Sequence, residues 1–340
     1  MPEKIPLNVT FTEPQRVDIP LVRGSVAELK EAVEATSTRL LKMSHDSAPR
    51  LTRDAIEADF PDLKVENLSV IKYGDEALAD DNTVVEVNDK IIFKFPTKGE
   101  ALVDRERKFL QLIEGRLTAA TPKVLHVGEK KCLYGTDKIE GIHLSGAWYE
   151  HASDTEKESL AADIVLFLRE LHTKVPIAEA ERIGVQEDAV DKVWPLERLQ
   201  TVIDTQAGDD DGFKAFLTRA AEAYHKVPSR EMEQKVFLHH DLSDGNLFLD
   251  PDTKRLKGVI DFGNVATGDK YIDFASLYRN RPEFGLHVAR KYAELTGTAI
   301  DPERVMATAV VKQIVHLVQS PEKKRLSVEK LQQWYADSRE

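Results

Sequence analysis

The sequence is almost without cysteine. Cys132 stands alone among 340 residues, which excludes an intrachain disulfide framework or cysteine metal cluster and fits a reducing compartment. Long apolar runs are missing too. One of the longest, Val305 to Val311, is closed by Lys312, far short of the ~20 residues that span a bilayer. The opening stretch MPEKIPLNVTFTEPQ has no basic segment followed by an apolar one, so the expectation is a cytoplasmic chain without a secretory leader. Basic charge is in deficit, with 47 Lys and Arg against 59 Asp and Glu for a net −12. A nucleic-acid binder needs a basic face, and anionic lipid attracts basic segments. Neither nucleic acid nor membrane is therefore an expected partner. Internal repeats and low-complexity tracts are absent. Hydrophobic residues make up 41% of the chain, enough for a packed core.

What is present falls into two regions of different period. Residues 1–50 mix prolines with short apolar runs, then VAELKEAVEATSTRLLKM predicts a helix from Ser25 to about Met43. A short helix is expected over 52–60, stopped by Pro61. LSVIKYG, TVVEVN and KIIFKFP read as strands, with Asn88-Asp89 as a hairpin turn between the last two. Val103 to Ile113 reads as a helix, and Lys123 to Val127 and Cys132 to Ile139 as two more strands. Beyond Gly141 the pattern turns helical, with Ser153 to His172 amphipathic through Leu160, Ile164, Phe167, Leu168 and Leu171. Further helices are expected near Phe213–Tyr224, 283–296, 302–318 and 326–337. The fold class is α+β, an extension over 1–50, a β-rich lobe over 51–141 and a helical lobe over 142–340. The cleft between the lobes, joined near 137–142, is where a small ligand would bind.

A strand-rich block at 235–264 interrupts the helical part and holds the chemistry. It contains His239-x-Asp241, Asn246 five residues later, and Ile260-Asp261-Phe262-Gly263. These spacings match the catalytic loop H-x-D-x-x-x-x-N and the D-F-G of kinases. Asp241, leaving a strand, can accept the proton of an attacking hydroxyl. Asn246 returns an amide oxygen and Asp261 a carboxylate oxygen, hard donors of the kind Mg²⁺ requires. Any one of these residues alone would read as a local turn; the four together do not.

Other parts of such an enzyme can be sought independently. Lys94 in IIFKFP shares a strand face with Ile92 and could pair with nucleotide phosphates. Glu106, on the following helix, is best placed to hold it, with Glu100 and Asp104 as alternatives. The loop that should cover the phosphates, GDEALADDN, has one glycine, Gly74, and four acids. No A-P-E follows Asp261, and Asp273 comes only twelve residues later. That short interval leaves little room for the platform on which protein kinases lay peptides, so a small-molecule substrate is the better inference.

With these motifs in place the chain resembles the aminoglycoside phosphotransferase family, related to choline and fructosamine kinases. The likeness runs from about residue 51 to about 320 and rests on DDNTVVEVNDKIIFKFP, IEGIHL, FLRELH, FLHHDLSDGNLFLD and GVIDFGNVATGDKYIDFASL. The resemblance implies a protein-kinase-like bilobal fold, with a small antiparallel sheet in the N-lobe and a mainly helical C-lobe. It implies transfer of the γ-phosphoryl of ATP or GTP to a hydroxyl. Asp241 would be the catalytic aspartate, Asn246 and Asp261 the Mg²⁺ ligands, and Lys94 the phosphate-binding lysine held by Glu106. His239 would be structural and Asp273 would brace the loop. Thr136, Asp137, Lys138 and Ile139 would form the hinge whose backbone bonds the base. The acceptor would be a small hydroxyl-bearing compound, with a polycation among the first to test because about two thirds of the excess acid lies beyond residue 141. A metabolic kinase of the choline or fructosamine type and a nucleotide-binding module without turnover remain as rivals.

Overall fold

The computed structural model describes residues 53–71, 82–96, 100–129, 133–188, 190–226, 235–319 and 324–339. The helix expected over Ser25–Met43, the acidic loop after Gly74 and Cys132 lie outside these residues. After a helix over 53–59 (α1) come β1 (Leu68–Val70), β2 (Asn82–Val87), β3 (Ile91–Pro96), α2 (Glu100–Ile113), β4 (Val124–Val127) and β5 (Tyr134–Asp137). The strands form one antiparallel sheet in the order β1-β2-β3-β5-β4.

Strand period explains how this sheet serves a site. Side chains alternate between faces, so Val85, Val87 and Phe93 are fully buried in a core shared with Ile56. Their neighbours Val84, Glu86, Ile92 and Lys94 point the other way and line the cleft. The β2–β3 turn takes the left-handed conformation at both Asn88 (φ 55°) and Asp89 (φ 57°), which matches the twist of the flanking strands.

The helical part follows. It holds β6 (Ile142–His143), α3 (Gly146–His151), α4 (Asp154–Lys174), α5 (Ile177–Arg182), α6 (Val190–Val193), α7 (Leu196–Gln206) and α8 (Asp211–His225). Next come β7 (Val236–Leu238), β8 (Leu247–Leu249), β9 (Leu256–Val259), β10 (Ala266–Gly268), α9 (Tyr271–Asn280), α10 (Pro282–Thr296), α11 (Pro302–Gln319) and α12 (Lys324–Asp337). Helix α4 starts at a capping box: Ser153 and Glu156 satisfy each other's backbone N–H groups. Helix α10 has Pro282 in its first turn and Gly297 (φ 69°) beyond its end, the asymmetry expected of helix termini. Helices α3 and α5–α7 were not foreseen; α3, α5 and α6 have six residues or fewer, too brief to show a 3.6 period, whereas α7 does show one in Leu196, Leu199, Val202 and Ile203. No helix among the described residues is long and apolar enough to cross a membrane.

Two small sheets carry the motif block. Strands β6, β8 and β9 pair antiparallel, as do β7 and β10. Leu247, Leu249, Phe237 and Val259 are fully buried in the main core, so the loops between these strands are clamped at both ends.

Candidate active site

The site is a cleft of about 760 Å³ between the five-stranded sheet and the motif loops, lined among others by Lys94, Glu106, Thr136, Ile139, Asn246 and Asp261. On its sheet side the Lys94 Nζ lies 2.9 and 2.7 Å from the two carboxylate oxygens of Glu106, and 3.0 Å from Asp261 Oδ1. Of the acids considered on α2, Glu106 is the one that meets this lysine; Asp104 instead pairs with Arg107 and Lys108. Burial alone would lower Lys94, but the charges of Glu106 and Asp261 outweigh it and hold the ammonium well above its ordinary 10.5. That ammonium in turn draws Asp261 below its ordinary 3.8, against the effect of burial.

Packing ties this triad to the motif loops. Phe262, fully buried, lies 5.5 Å from Phe109 of α2 and 4.7 Å from the His239 ring. Phe109 also stacks on Phe237 at 4.3 Å. Arg105 donates to the Gly263 carbonyl at 2.9 Å. Helix α2 and the Asp261 turn are thus braced by apolar and polar contacts together. Asp261 itself sits in the left-handed region, φ 63°, unusual for a residue other than glycine.

The catalytic-type loop is fixed from beneath by Asp273. Its carboxylate accepts the backbone N–H groups of His239 (3.2 Å) and His240 (2.7 Å) and contacts the His172 ring at 3.1 Å. The His172 ring meets Tyr292 on its other nitrogen. His239 bonds the Ile260 carbonyl at 3.0 Å, and Asn246 donates its amide to the Asp241 carbonyl at 2.9 Å. Burial raises Asp273, but the His172 hydrogen bond and charge lead the opposing effects, which win and keep it below 3.8.

Over Thr136 to Ile139, the stretch expected to act as a hinge, fewer backbone N–H groups are open than the sequence suggests. The Asp137 N–H donates to the Lys123 carbonyl and the Lys138 N–H to the Lys90 carbonyl. Among the described residues the Ile139 N–H has no such partner. The Lys138 side chain is turned to Glu86 at 2.7 Å.

Residues 76–307 match the phosphotransferase enzyme family, APH. The chain belongs to this phosphotransferase family. It is 30% identical over 186 residues to an aminoglycoside 3′-phosphotransferase of Streptomyces fradiae, covering 50% of this chain and 63% of that one. It is 34% identical over 95 residues to a streptomycin 3″-kinase of Streptomyces griseus, 26% of this chain and 35% of that one. The matches therefore span less than two thirds of these relatives' lengths. In fold it superposes on the GDP complex of aminoglycoside 2′-phosphotransferase-IIIa with a TM-score of 0.73 at 21% identity, covering 85% of this chain and 99% of the other. A macrolide 2′-phosphotransferase type I gives 0.59 at 19% identity, over 83% and 95%. The fold is thus the kinase-like bilobal α+β arrangement.

Within this family member, several polar residues around Asp241 were invisible to motif reading. Arg279 at the end of α9 lies 3.1 Å from Asp241 Oδ1, and Arg281 lies 2.6 Å from Asp244 Oδ1. His240 adopts φ 74°, and its ring meets Asp188 at 2.7 Å. Its carbonyl accepts from Ser276 and from Lys312. These partners come from separate helices and loops, so no local spacing announces them. The nearest signal was Lys312 itself, the charge that closed the apolar run.

Proposed function

We propose that this chain is a small-molecule O-phosphotransferase that moves the γ-phosphoryl of ATP or GTP to an acceptor hydroxyl. The observation that carries it is the Lys94–Glu106–Asp261 triad facing the same cleft as Asn246, with Asp241 five residues before that asparagine on one braced loop. A protein that only binds nucleotide has no need of Asp241 beside that set.

The roles follow from chemistry. Lys94, held charged by Glu106, meets the nucleotide phosphates as a fixed cation. Ile139 offers the free hinge N–H to the base, while Thr136, Asp137 and Lys138 shape the wall around it. Asp241 receives the proton of the acceptor hydroxyl. The acceptor oxygen then forms a bond to the γ-phosphorus, the bond from that phosphorus to the bridging oxygen breaks, and the nucleoside diphosphate leaves. Most of the acceleration comes from positioning and charge stabilisation. Asn246 and Asp261 suit Mg²⁺: both present hard oxygens to the cleft, and the asparagine's N–H is already used on the Asp241 carbonyl. When bound, Mg²⁺ would neutralise phosphate oxygens. A lone cysteine fits cytoplasmic work.

The acceptor is a hydroxyl-bearing small molecule. Aminoglycosides, for which the Streptomyces relatives are named, are hydroxyl-bearing polycations and belong among the first acceptors to test. The test is nucleoside diphosphate release with ATP and GTP across a panel of hydroxyl compounds and protein substrates. Acceptor-dependent release with small hydroxyl compounds is expected. Transfer to proteins alone, or nucleotide binding with no turnover on any acceptor, contradicts the reading.

A further inference from the structure

The main chain of Asp241 is fixed on both sides. Its N–H donates to the His239 ring at 3.3 Å, and its carbonyl accepts from the Asn246 amide at 2.9 Å. Leu242, the next residue, is fully buried. What the backbone leaves open is the rotation of the carboxylate. One contact addresses that rotation: Arg279 Nη2 lies 3.1 Å from Asp241 Oδ1. Among the described residues no hydrogen-bond donor meets Oδ2, so one oxygen is held and the other is left over.

The guanidinium is delivered by a helix that follows the loop residue by residue. Asp273, in the first turn of α9, accepts the N–H groups of His239 and His240. Ser276 donates to the His240 carbonyl at 3.1 Å, and Asn280 to Asp244 Oδ1 at 3.4 Å. Positions 273, 276 and 280 are three and four apart, the spacing that lines one helix face, and Arg279 stands beside that row. The loop is thus met in chain order, at 239, 240, 241 and 244. Asp273 and Ser276 are buried, which fixes helix to loop where water does not compete. The last carbonyls of a helix have no partner within it, and Lys330 donates to that of Arg279 at 2.9 Å. The main chain from which the guanidinium extends is therefore also held. The Arg279 and Asp241 side chains are 30% and 29% exposed, and an ion pair that open adds little stability. Its place on the catalytic-type carboxylate is better explained by orientation.

We propose that Arg279 is the positioning residue of the base: it holds Asp241 Oδ1, and Oδ2 is the atom that receives the acceptor hydroxyl proton. The proposal rests on the phosphotransfer reading and adds a residue to it. The hydroxyl O–H bond breaks toward Oδ2 as its oxygen bonds the γ-phosphorus, and the nucleoside diphosphate leaves with the bridging oxygen. A base is aimed by a third group in many such sites, and a misplacement of about 1 Å can cost about a hundredfold in rate.

A double-mutant cycle on the full chain tests this. Phosphoryl transfer from γ-³²P-labelled Mg·ATP or Mg·GTP is followed with kanamycin, streptomycin and glucose as acceptors, and to water where none is used; the label keeps slow variants readable. Arg279→Gln is expected to lower kcat about tenfold or more, with nucleotide affinity unchanged and the denaturant midpoint little moved. Added to Asp241→Asn, the same change should cost no more than about twofold, because the carboxylate it aims is gone. A bridge that only braces the fold would give the same loss in both backgrounds. Should Arg279→Gln lose nucleotide affinity, Arg279→Lys is read in the same cycle. A wild-type kcat without the guanidinium, or equal losses with and without the Asp241 carboxylate, would overturn the proposal and leave the phosphotransfer reading standing. Nucleotide binding with no transfer to any acceptor or to water in the wild-type chain would break that reading, and the proposal with it.

Discussion

On the sheet side of the cleft one ammonium serves two carboxylates, Lys94 between Glu106 and Asp261. On the far side of the loop that carries Asp241, each carboxylate has its own partner: Asp241 has Arg279, Asp244 has Arg281, Asp188 has the His240 ring and Asp273 has the His172 ring and two backbone N–H groups. The first region has negative charge in excess and suits a ligand that brings a metal cation along with its phosphates. The second is internally balanced, with Arg279, Arg281, Lys312 and Lys330 against Asp188, Asp241, Asp244 and Asp273. The difference is between a charge cluster left open to a ligand and one closed on itself.

The comparison can be broken at several points. The largest effect on the fold is expected from Lys94→Met, which leaves Glu106 and Asp261 facing each other without a cation. Breaking one member of a buried pair costs about 3–5 kcal/mol, to be read as a loss of denaturant midpoint at neutral pH. The sign with pH follows from Asp261. Lys94 depresses its folded-state pKa below 3.8, so the contribution is complete above that pH and fades as pH falls through the folded value. The gap between wild type and variant should therefore narrow in acid. Glu106→Gln should behave alike but more mildly, because one carboxylate remains for the ammonium.

Beside that loop, His240→Ala removes the partner of Asp188 Oδ2, leaving only the Val190 N–H on Oδ1 of a side chain that is 4% exposed. An unpaired buried acceptor costs about 1–3 kcal/mol. His240→Gly should lose about 1 kcal/mol less than the alanine variant, because glycine takes φ 74° without the Cβ clash. Equal losses would mean that the left-handed backbone carries no penalty there. The smallest effect concerns Lys312. Its folded pKa is about 8 against 10.5 in the unfolded chain, so the unfolded state binds more protons between those values and stability rises with pH across that window. Lys312→Met should flatten that rise in urea midpoints taken from pH 7.5 to 10.5.

These two regions were not equally legible in the sequence. Lys94 was singled out because a strand alternates, so a lysine between Phe93 and Phe95 had to face away from the core. Glu106 was singled out because a helix follows at once, and the two side chains do meet. Asp241, Asn246 and Asp261 were singled out because a loop and a hairpin fix their spacing. Each of those signals is local. Arg279, Lys312 and Lys330 sit on three helices, α9, α11 and α12, and only tertiary packing brings them to Asp241, the His240 carbonyl and the Arg279 carbonyl respectively. Asp188 reaches His240 from a loop between α5 and α6. The expected hinge shows the same limit: the sequence marked Thr136 to Ile139, but only the pairing of Asp137 and Lys138 with Lys123 and Lys90 separates their N–H groups from that of Ile139.

The most direct test of the central claim is ³¹P NMR detection of an acceptor phosphate monoester, comparing wild type with Asp241→Asn at matched nucleotide saturation. The account predicts a monoester signal for wild type and a rate at least about a hundredfold lower for the variant, as expected for loss of a general base, with nucleotide affinity unchanged. A variant that makes the monoester at the wild-type rate would contradict it.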